Sequence, residues 1–355
     1  MIVGGYLIFA FLLLYIHLLG VSRAGRPPLK ERASIRTVEV SVLIPYRDEE
    51  KALIELLKCI QRLSVKPKEL IFIDDHSSDR SSELVESHEF SLPVRQLKLG
   101  DDEAGKKQAL RKGVEEASGT YILTWDADIR VPADYFMHLE KEKACDLLIL
   151  PVTMCNSRWF SPFFELDYAY LFNLHWGLSG YNRQLTCSGA NLLFLKSSYL
   201  ESSTDLSHRT HASGDDLFLL SDFIRDDRTI ETSMKSELAV WTSLPGTFME
   251  VIQQRLRWLS KLGGVSNRTM FWMALLGLMY HLYPILVICY NPSLAFILLI
   301  KIVFDLMMFI PYLRRFSRGK LLAFVPVFSL LYPLYLLILP ISRMFMKLSW
   351  KGRRI

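Results

Sequence analysis

Two carboxylates, Asp126 and Asp128, directly follow an apolar run in the sequence TWDADIRVP. Hard divalent cations take oxygen ligands, so a carboxylate pair at the end of a strand suits Mg²⁺ or Mn²⁺. A metal held there can neutralise a departing diphosphate. A solvated acidic turn is the alternative interpretation. A phosphatase that forms an aspartyl phosphate shares this spacing but would want Thr or Val where Arg130 stands, so we discount that class.

A second acidic pair, Asp74 and Asp75, ends another apolar run, in IFIDDHSSDRS. A carboxylate at this place can accept a hydrogen bond from a nucleobase N–H or from ribose hydroxyls. The polar residues that follow, Ser77, Ser78 and Asp79, can instead cap the N-terminus of a helix. Both interpretations can hold for different residues of this segment.

A third acidic pair, Asp215 and Asp216, begins the apolar run of SGDDLFLL. The pair can complement the dipole of a helix N-terminus, or one carboxylate can act as general base for an acceptor hydroxyl. The nearby His208 and His211 resemble half of a metal site. Because no further ligands accompany them, we favour a structural role for these two histidines.

A basic and aromatic segment, QQRLRWLSKLGG, occupies residues 253–264. Arg255, Arg257, Lys261 and Trp258 suit a helix that lies at a membrane interface. The functional alternative places the Arg257 guanidinium on a phosphate and the Trp258 indole against a sugar or an acceptor.

Short apolar runs at 38–45, 70–73 and Tyr121–Trp125 alternate with helical patterns at 52–63 and 105–117. Strands that alternate with helices predict an α/β domain whose sheet is mostly parallel and covered on both faces. Ligands bind such sheets at the carboxyl ends of the strands. Because the acidic pairs follow these runs, we expect them to converge on one site.

The composition predicts a soluble domain joined to membrane segments. Half of the 355 residues are hydrophobic, which is too apolar for one ordinary soluble domain. The net charge is +5, and the basic residues cluster beside apolar runs without an aromatic-interleaved stripe, so we expect no nucleic acid partner. The five cysteines are an odd number without a CxxC pair, which indicates a reducing compartment.

Apolar runs of membrane length lie at both ends of the chain, where a helix must cross a hydrocarbon core of roughly 30 Å. They are 2–21, 271–290, 292–313 and 321–346. Basic residues from Arg23 onward follow the first run, which favours an uncleaved anchor and a cytoplasmic location for the segment after it. Lys301 and Asp305 lie four residues apart inside the third run, and we favour a neutralising pair over a functional polar site.

The last apolar run has two possible paths. A full crossing would leave a basic tail containing Arg343 and Lys351 outside the cytoplasm, against the charge rule. Pro326, Pro333 and Pro340 would permit a broken or re-entrant path. These patterns divide the chain into an anchor (1–22), a catalytic segment (37–262), C-terminal membrane helices (268–347) and a basic tail (348–355).

Taken in order, these segments resemble the membrane-bound family 2 glycosyltransferases of the GT-A type, a group that includes ceramide glucosyltransferases, hyaluronan synthases and cellulose synthases. The similarity runs through SVLIPYRDEE, IDDHSSD, GKKQAL, DAD, CSGAN and GDD to a QxxRW pattern formed by Gln254, Arg257 and Trp258. It covers essentially the whole of segment 37–262. The order and spacing of the motifs make the set more specific than any single motif.

The resemblance implies that a UDP-sugar donor is bound by residues at several strand ends and one helix start. These residues are Pro45, Tyr46, Glu49, Asp74, Asp75, Lys106, Asp126 and Asp128. Asp74 or Asp75 would contact uracil, and Lys106 lies where the family keeps a basic residue for the nucleotide. Asp126 and Asp128 would also hold the metal, Mg²⁺ or Mn²⁺.

The resemblance further implies residues for the acceptor and for catalysis. The sugar and acceptor site would be lined by Gly189, Ala190 and Asn191. The diphosphate and acceptor would be held by Gln254, Arg257 and Trp258. Asp216 matches the catalytic base, while Asp215 stands where the family frequently has Glu, which leaves the choice between the two open.

These roles describe a direct displacement, in which one base without an evident nucleophile predicts inversion at the anomeric carbon. We expect sugar transfer to a lipid or lipid-linked glycan acceptor at the cytoplasmic face of the bilayer, in a protein of the bacterial inner membrane. A processive polysaccharide synthase coupled to export is the alternative, although four apolar runs are few for a polymer channel. A scaffold with a silent domain is a third hypothesis, and the intact acidic motifs argue against it.

Overall fold

The structure is a computed structural model that describes residues 2–24, 32–155, 158–202, 215–261, 268–346, 349–350 and 353–354. His208 and His211 lie outside these residues, as does the side chain of Asp215. The chain forms two compact units. The sheet unit consists of Pro27–Met154 and Cys187–Ser243, and the helical unit consists of Met1–Arg26, Cys155–Thr186 and Leu244–Ile355.

The described residues of the sheet unit form ten strands. They are β1 (Val40–Tyr46), β2 (Glu69–Asp74), β3 (Val94–Lys98), β4 (Tyr121–Trp125), β5 (Ile129–Arg130), β6 (Leu147–Ile149), β7 (Val152–Met154), β8 (Asn191–Leu195), β9 (Ile230–Thr232) and β10 (Val240–Thr242). Seven of them form the central sheet in the order β3-β2-β1-β4-β8-β6-β9, and the other three form a small sheet in the order β5-β10-β7.

The central sheet is mostly parallel, as the sequence predicts. β1 pairs in parallel with β2 and β4, and β2 pairs in parallel with β3. β8 is the exception, since it runs antiparallel to both of its neighbours, β4 and β6. The carboxyl ends of β1, β2 and β4 therefore meet the amino end of β8 at one edge of the sheet.

Helices cover this sheet. They are α2 (Glu50–Gln61), α3 (Ser81–Glu86), α4 (Lys106–Glu116), α5 (Tyr135–Leu139), α7 (Lys196–Ser202) and α8 (Asp215–Arg225). One buried cluster joins Leu43 and Ile73 of the strands to Ala109 and Val114 of α4 and Phe223 of α8. Every residue of β1, β2 and β4 is buried, which explains why these strands read as continuous apolar runs.

The helical unit contains the remaining helices and a short hairpin. The helices are α1 (Ile2–Ala24), α6 (Ser161–Ser179), α9 (Phe248–Lys261), α10 (Arg268–Tyr290), α11 (Ile297–Arg315) and α12 (Val325–Phe345). Strands β11 (Ser349–Trp350) and β12 (Arg353–Arg354) pair antiparallel. Among the residues that the structure describes, four segments are long and apolar enough to cross a membrane, namely Ile2–Ala24, Arg268–Tyr290, Pro292–Arg315 and Gly319–Phe345.

The last apolar run forms one continuous helix. Pro326 lies in the first turn of α12, where a backbone N–H has no helical partner to lose, and Pro333 and Pro340 lie inside the helix. Of the two paths that the sequence left open, the described residues follow the unbroken one. Its length is sufficient for a single crossing.

The two compact units divide the chain differently from the segments proposed from the sequence. Helices α6 and α9 group with the helical unit, although both fall inside the segment 37–262. α6 packs closely on α1 because glycines face each other there. A methyl group on Gly20 would overlap the Gly177 carbonyl oxygen, and one on Gly180 would overlap the Gly20 carbonyl oxygen.

A buried polar cluster joins three helices of the helical unit. Lys301 and Asp305 of α11 are 1% and 2% exposed, and the Lys301 Nζ lies 2.6 Å from an Asp305 carboxylate oxygen. Lys301 also donates to the Ser329 carbonyl oxygen of α12 at 3.0 Å, and the Tyr280 hydroxyl of α10 donates to Asp305 at 2.8 Å. The Ser329 hydroxyl donates to the same carboxylate. The geometry therefore supports the neutralising pair.

Removing the Asp305 charge should destabilise the helical unit. The change Asp305→Asn leaves the Lys301 ammonium buried without its counter-ion, and we expect a loss of about 3–5 kcal/mol in unfolding free energy. The double variant Lys301→Met/Asp305→Leu removes both charges and should recover most of that loss. Thermal unfolding in nanodiscs measures both effects, and an unchanged midpoint for Asp305→Asn would contradict this role.

Candidate active site

The loops after β1 and β2 are fastened to each other by side chains. Asp48 accepts hydrogen bonds from the Ser78 backbone N–H at 2.7 Å and from the Ser78 hydroxyl at 3.0 Å. In return, the Ser77 hydroxyl accepts from the Asp48 N–H at 3.1 Å, and the Asp79 carboxylate accepts from the Glu50 N–H at 3.0 Å. Since these backbone donors lie at the start of α2, the second loop caps that helix.

Asp74 and Asp75 are both buried where β2 ends. The Asp74 carboxylate accepts a hydrogen bond from the Ser77 N–H at 2.9 Å, which holds the turn that follows the strand. The Asp75 N–H donates to the Tyr46 carbonyl oxygen at 2.9 Å and so ties this turn to the end of β1. The proposed uracil contact stays a prediction for Asp74 and Asp75.

Tyr46 and Pro45 contribute to the sheet rather than to an open surface. Tyr46 is buried, and its hydroxyl accepts a hydrogen bond from the Gln96 side chain at 2.6 Å. Burial and the nearby Asp74 charge raise the pKa of Tyr46 to about 12. Pro45 pairs in register with Ile73 inside the strands. The side chain of Tyr46 therefore holds β1 to β3, and the expected roles of Pro45 and Tyr46 in a nucleotide pocket stay predictions.

Lys106 and Asp126 form an ion pair at the same edge of the sheet. Gly105 precedes α4 with a φ of 94°, a left-handed conformation that glycine adopts readily, and it positions Lys106 as the first residue of the helix. The Lys106 ammonium binds the carboxylate of Asp126, which directly follows β4, and both side chains are about one-third exposed. The structure thus brings two predicted donor-binding residues into contact.

Asp128 lies two residues further, beside Asp126 and Glu49. Its carboxylate accepts a hydrogen bond from the Thr242 hydroxyl of β10 at 3.2 Å. The surrounding protein disfavours the charged form of the carboxyl group and thereby raises the pKa of Asp128 to about 7. The negative charges of Asp126 and Glu49 raise the pKa further, while Lys106 lowers it. Glu49 immediately precedes α2.

Gly189 connects this acidic group to Asp216. The Gly189 N–H donates to the Asp216 carboxylate at 3.1 Å, and the Asp216 carbonyl oxygen accepts from the Cys187 thiol at 3.1 Å. A methyl group on Gly189 would lie 3.4 Å from the Lys106 ammonium and 3.9 Å from an Asp216 carboxylate oxygen. Lys106, Asp126, Gly189 and Asp216 are therefore neighbours. Asp215 begins α8 beside Asp216.

Ala190 and Asn191 are buried beneath Gly189. The Asn191 amide donates to the carbonyl oxygens of Pro151 and Leu238, each at 2.9 Å. Its amide oxygen accepts from the Tyr135 hydroxyl at 2.6 Å. Because these bonds occupy a fully buried side chain, Asn191 positions the start of β8, and its expected place in an acceptor site stays a prediction.

The acidic edge suits a divalent cation that arrives with a phosphate ligand. Asp126 and Asp128 are close enough for the charge of one to raise the pKa of the other, and a cation would relieve that repulsion. Within the part of the chain that the structure describes, no group of three or more His, Cys, Asp or Glu side chains is arranged to hold a metal. Mg²⁺ characteristically uses one or two carboxylates together with substrate phosphates, so the two residues fit such an ion.

The QxxRW residues lie on α9 of the helical unit. Arg257 is half-buried, and burial lowers the pKa of its guanidinium. No carboxylate among the described residues forms an ion pair with it. The Trp258 ring packs on Tyr168 of α6, with ring centroids 5.9 Å apart. Gln254 accepts a hydrogen bond from Arg255 at 2.8 Å.

Two residues of these arrangements were not predicted from the sequence as parts of a site. Thr242 contacts Asp128 only because β10 pairs with β5, and nothing local marks it. Arg255 was assigned to an exposed interfacial face, but it is buried against Asp167 of α6. A buried arginine needs an acidic partner, and the presence of Asp167 in the apolar segment that forms α6 was the one indication that such a pair could exist.

The comparison with known proteins addresses the family of the sheet unit. Residues 41–144 match the family model described as glycosyl transferase family 2. This match assigns residues 41–144, and not the rest of the chain, to that family. The matched segment contains the Asp74–Asp75 pair, Lys106, Asp126 and Asp128.

Curated relatives of this glycosyltransferase domain match over a short span. The undecaprenyl-phosphate 4-deoxy-4-formamido-L-arabinose transferase of Pectobacterium carotovorum is 37% identical over 100 residues, which cover 27% of this chain and 30% of that protein. The poly-beta-1,6-N-acetyl-D-glucosamine synthase of Staphylococcus aureus is 30% identical over 125 residues, covering 33% and 29%. The chain thus spans about 30% of the length of these relatives.

A solved structure extends the likeness to nearly the whole chain. A mannosyltransferase from Pyrobaculum calidifontis, solved in complex with GDP-Man and Mn²⁺, has a TM-score of 0.57 and 16% sequence identity. The alignment covers 97% of this chain and 99% of that one. The α/β glycosyltransferase domain and its long apolar helices therefore share a common fold with that protein.

The size of residue 189 should control access to the site. The change Gly189→Ala adds a methyl group in ordinary contact with Lys106 and Asp216, so folding and Mn²⁺-dependent binding of UDP or GDP should stay within about threefold of the original. The bulkier Gly189→Leu should lose binding about tenfold or more at a similar thermal midpoint. Calorimetric titration measures the nucleotide affinity of each variant. Undiminished binding by Gly189→Leu would show that the nucleotide does not bind beside Gly189, between Lys106 and Asp216.

Proposed function

We propose that this chain is an inverting glycosyltransferase that moves one sugar from a nucleotide-sugar donor, with UDP-sugars as the first candidates, to a lipid or lipid-linked glycan acceptor. The acceptor would be reached at the cytoplasmic face of a bacterial inner membrane. The proposal joins the family 2 domain of residues 41–144 to the four membrane-length apolar segments of the same chain.

The single observation that carries the proposal is the arrangement around Gly189. The Lys106 ammonium and the Asp216 carboxylate at the start of α8 lie beside Gly189, and Lys106 is paired with Asp126 of the proposed cation-binding pair. Sugar transfer requires these parts, because a diphosphate must be neutralised while an acceptor hydroxyl loses its proton. A hydrolase of glycosides would instead place two carboxylates on either side of the scissile bond.

Asp216 is the proposed base. Its carboxylate takes the proton of the acceptor hydroxyl as that oxygen forms a bond to the anomeric carbon. The bond between the anomeric carbon and the diphosphate oxygen breaks, and the nucleoside diphosphate leaves with that electron pair. The Gly189 N–H holds the Asp216 carboxylate by a 3.1 Å hydrogen bond, which fixes its orientation for this step. Asp215 stays the alternative base.

The donor side would be served by Lys106, Asp126 and Asp128. Mg²⁺ or Mn²⁺, when bound, supplies positive charge that stabilises the departing diphosphate. Asp126 and Asp128 are the residues that would hold it, and Lys106 would turn from Asp126 toward a phosphate oxygen. Arg257 and Trp258 are retained, from the family resemblance, as residues for diphosphate and acceptor, and the lack of a described carboxylate partner for Arg257 supports this.

The lipid acceptor is supported by the apolar segments and by the name of one relative, which acts on undecaprenyl phosphate. The other relative is a polysaccharide synthase, and this favours processive synthesis as the second candidate. The cytoplasmic orientation rests on the basic residues that follow the first apolar segment, beginning at Arg23. The two candidates differ in the size of the product.

Replacing the proposed base should stop transfer without loss of donor binding. Asp216→Asn keeps the shape of the side chain but cannot accept the proton, so we expect a fall of about 10²- to 10⁴-fold in kcat. Binding of the donor nucleotide should stay within about threefold, since the base acts on the acceptor. Single-turnover transfer assays and nucleotide titration measure the two quantities.

The matched control is Asp227→Asn. Asp227 is exposed just beyond α8 and has a φ of 51°, a conformation that Asn tolerates, so the same chemical change should leave kcat unaltered. Full transfer by Asp216→Asn would remove Asp216 from the mechanism and direct attention to Asp215. Equal losses in both variants would point to folding rather than to catalysis.

A donor screen on purified membranes tests the reaction itself. UDP-sugars and GDP-sugars are supplied with Mn²⁺ or Mg²⁺, and the lipid extract is analysed by mass spectrometry. We expect a lipid product heavier by one sugar, its loss with EDTA, and its return when the metal is restored. A polymer would instead establish the processive candidate, and an unchanged lipid extract with every donor would contradict transfer to a lipid.

A further inference from the structure

The side chain of Arg255 lies at the centre of a buried contact network in the helical unit. It is 3% exposed, although its sequence position is in the middle of a basic and amphipathic helix. Its Nε donates to the Asp167 carboxylate at 2.7 Å, and another guanidinium nitrogen donates to the Phe164 carbonyl oxygen at 3.1 Å. Both partners belong to α6.

The same guanidinium also contacts two residues of the QxxRW pattern. It donates to the Gln254 side-chain oxygen at 2.8 Å. Its central carbon lies 4.2 Å from the centroid of the Trp258 ring, which is the geometry of a cation–π contact. Arg255 thus connects the first and last residues of the motif to α6 through one rigid group.

The fork of the guanidinium makes these contacts mutually dependent. Its donors lie in one plane with fixed angles, so an oxygen of α6 and the amide of Gln254 can be bound at the same time only in one orientation. That orientation also presents the flat face to the Trp258 indole. A lysine would place a single charge at the end of a flexible chain and could not reproduce the set.

Arg257 lies on a different side of α9. Residues two positions apart on a helix do not face each other, so the buried direction of Arg255 is not available to Arg257. Asp167 satisfies Arg255 and leaves Arg257 without an ion pair to any carboxylate that the structure describes. The two arginines therefore differ in what they do, although both stand in the same short segment.

We propose that Arg255 is the positioning residue of the QxxRW segment, holding Gln254 and Trp258 against Asp167 of α6 in the orientation that transfer needs. This inference rests on the proposed function, in which the motif binds the diphosphate and the acceptor. Arg255 touches neither substrate, and its effect passes through the two motif residues that it contacts. Asp167 acts as its counter-ion.

Three variants separate positioning from folding. Asp167→Asn and Arg255→Met each leave one buried polar group without its partner, so both should lose stability as well as activity. The double variant Arg255→Met/Asp167→Leu removes the buried charges together, so its thermal midpoint should return close to the original. Its kcat should nevertheless stay at least about tenfold low, because a displacement of 1 Å in a positioning group can cost about a hundredfold in rate.

Arg255→Lys and Arg183→Met are the controls. Lysine preserves the charge but not the fork, so kcat should stay low; Arg183 is exposed in the same unit, and its loss should change nothing. The KM for the donor should move less than kcat in all the Arg255 variants, since Arg255 does not touch the donor. Recovery of kcat together with the thermal midpoint in the double variant would reduce Arg255 to a structural role.

A spectroscopic measurement keeps the inference independent of any transferase activity. Each variant is prepared with and without Trp258→Phe, and the difference in near-UV circular dichroism and emission isolates the Trp258 signal. The signal should change in Arg255→Met, Arg255→Lys and the double variant, and stay the same in Arg183→Met. An unaltered Trp258 signal in the double variant would overturn the inference, whereas a changed signal in a chain that transfers no sugar would count against the proposed function alone.

Discussion

The strands β1, β2 and β4 are buried along their whole length, so they can present charge only where they end. A carboxylate in the middle of such a strand would cost several kcal/mol of desolvation, whereas one at the carboxyl end can accept hydrogen bonds from the following loop, as Asp74 does from the Ser77 N–H. The sheet thus concentrates Asp74, Asp75 and Asp126 at one edge. Beyond the strand ends no sheet ladder exists to pair the backbone, and the side chains of Asp48, Ser77 and Asp79 accept hydrogen bonds from backbone N–H groups instead.

This constraint explains which parts of the site were predictable from the sequence. The run Tyr121–Trp125 and the acids after it read correctly because burial on both faces produces a continuous apolar run with an abrupt polar end. The order of strands in the sheet was not readable in the same way. The family resemblance placed Asn191 in the acceptor site together with Gly189 and Ala190, and it gave no sign that the Asn191 amide is buried in β8, which pairs with β4 and β6. The role of Thr242 could not be predicted for the same reason, since its hydrogen bond to Asp128 depends on the pairing of β10 with β5 in the small sheet.

The helical unit shows a different limit of sequence analysis. α6 lies inside the segment 37–262 that was assigned to the catalytic domain, and it carries Glu165, Asp167 and His175. Those polar groups are buried with partners: Glu165 pairs with Arg318, Asp167 with Arg255, and His175 accepts from the Leu185 N–H at 3.2 Å. The partners of Glu165 and Asp167 come from distant parts of the chain. A polar residue whose partner lies far away in sequence reads as a solvent-exposed one, so α6 could not be recognised as part of this unit.

The charges around Gly189 also constrain how a nucleotide diphosphate could bind. The negative charges of Asp126 and Glu49 raise the pKa of Asp128, and the positive charge of Lys106 lowers it. A free diphosphate would add further negative charge to an edge where the carboxylates of Glu49, Asp126, Asp128 and Asp216 outnumber the Lys106 ammonium. A diphosphate that carried Mg²⁺ or Mn²⁺ would reverse the balance, because Asp126 and Asp128 would hold the cation and leave Lys106 for a phosphate oxygen. Binding of the metal and binding of the donor are therefore expected to be linked, each raising the affinity of the other by the same factor.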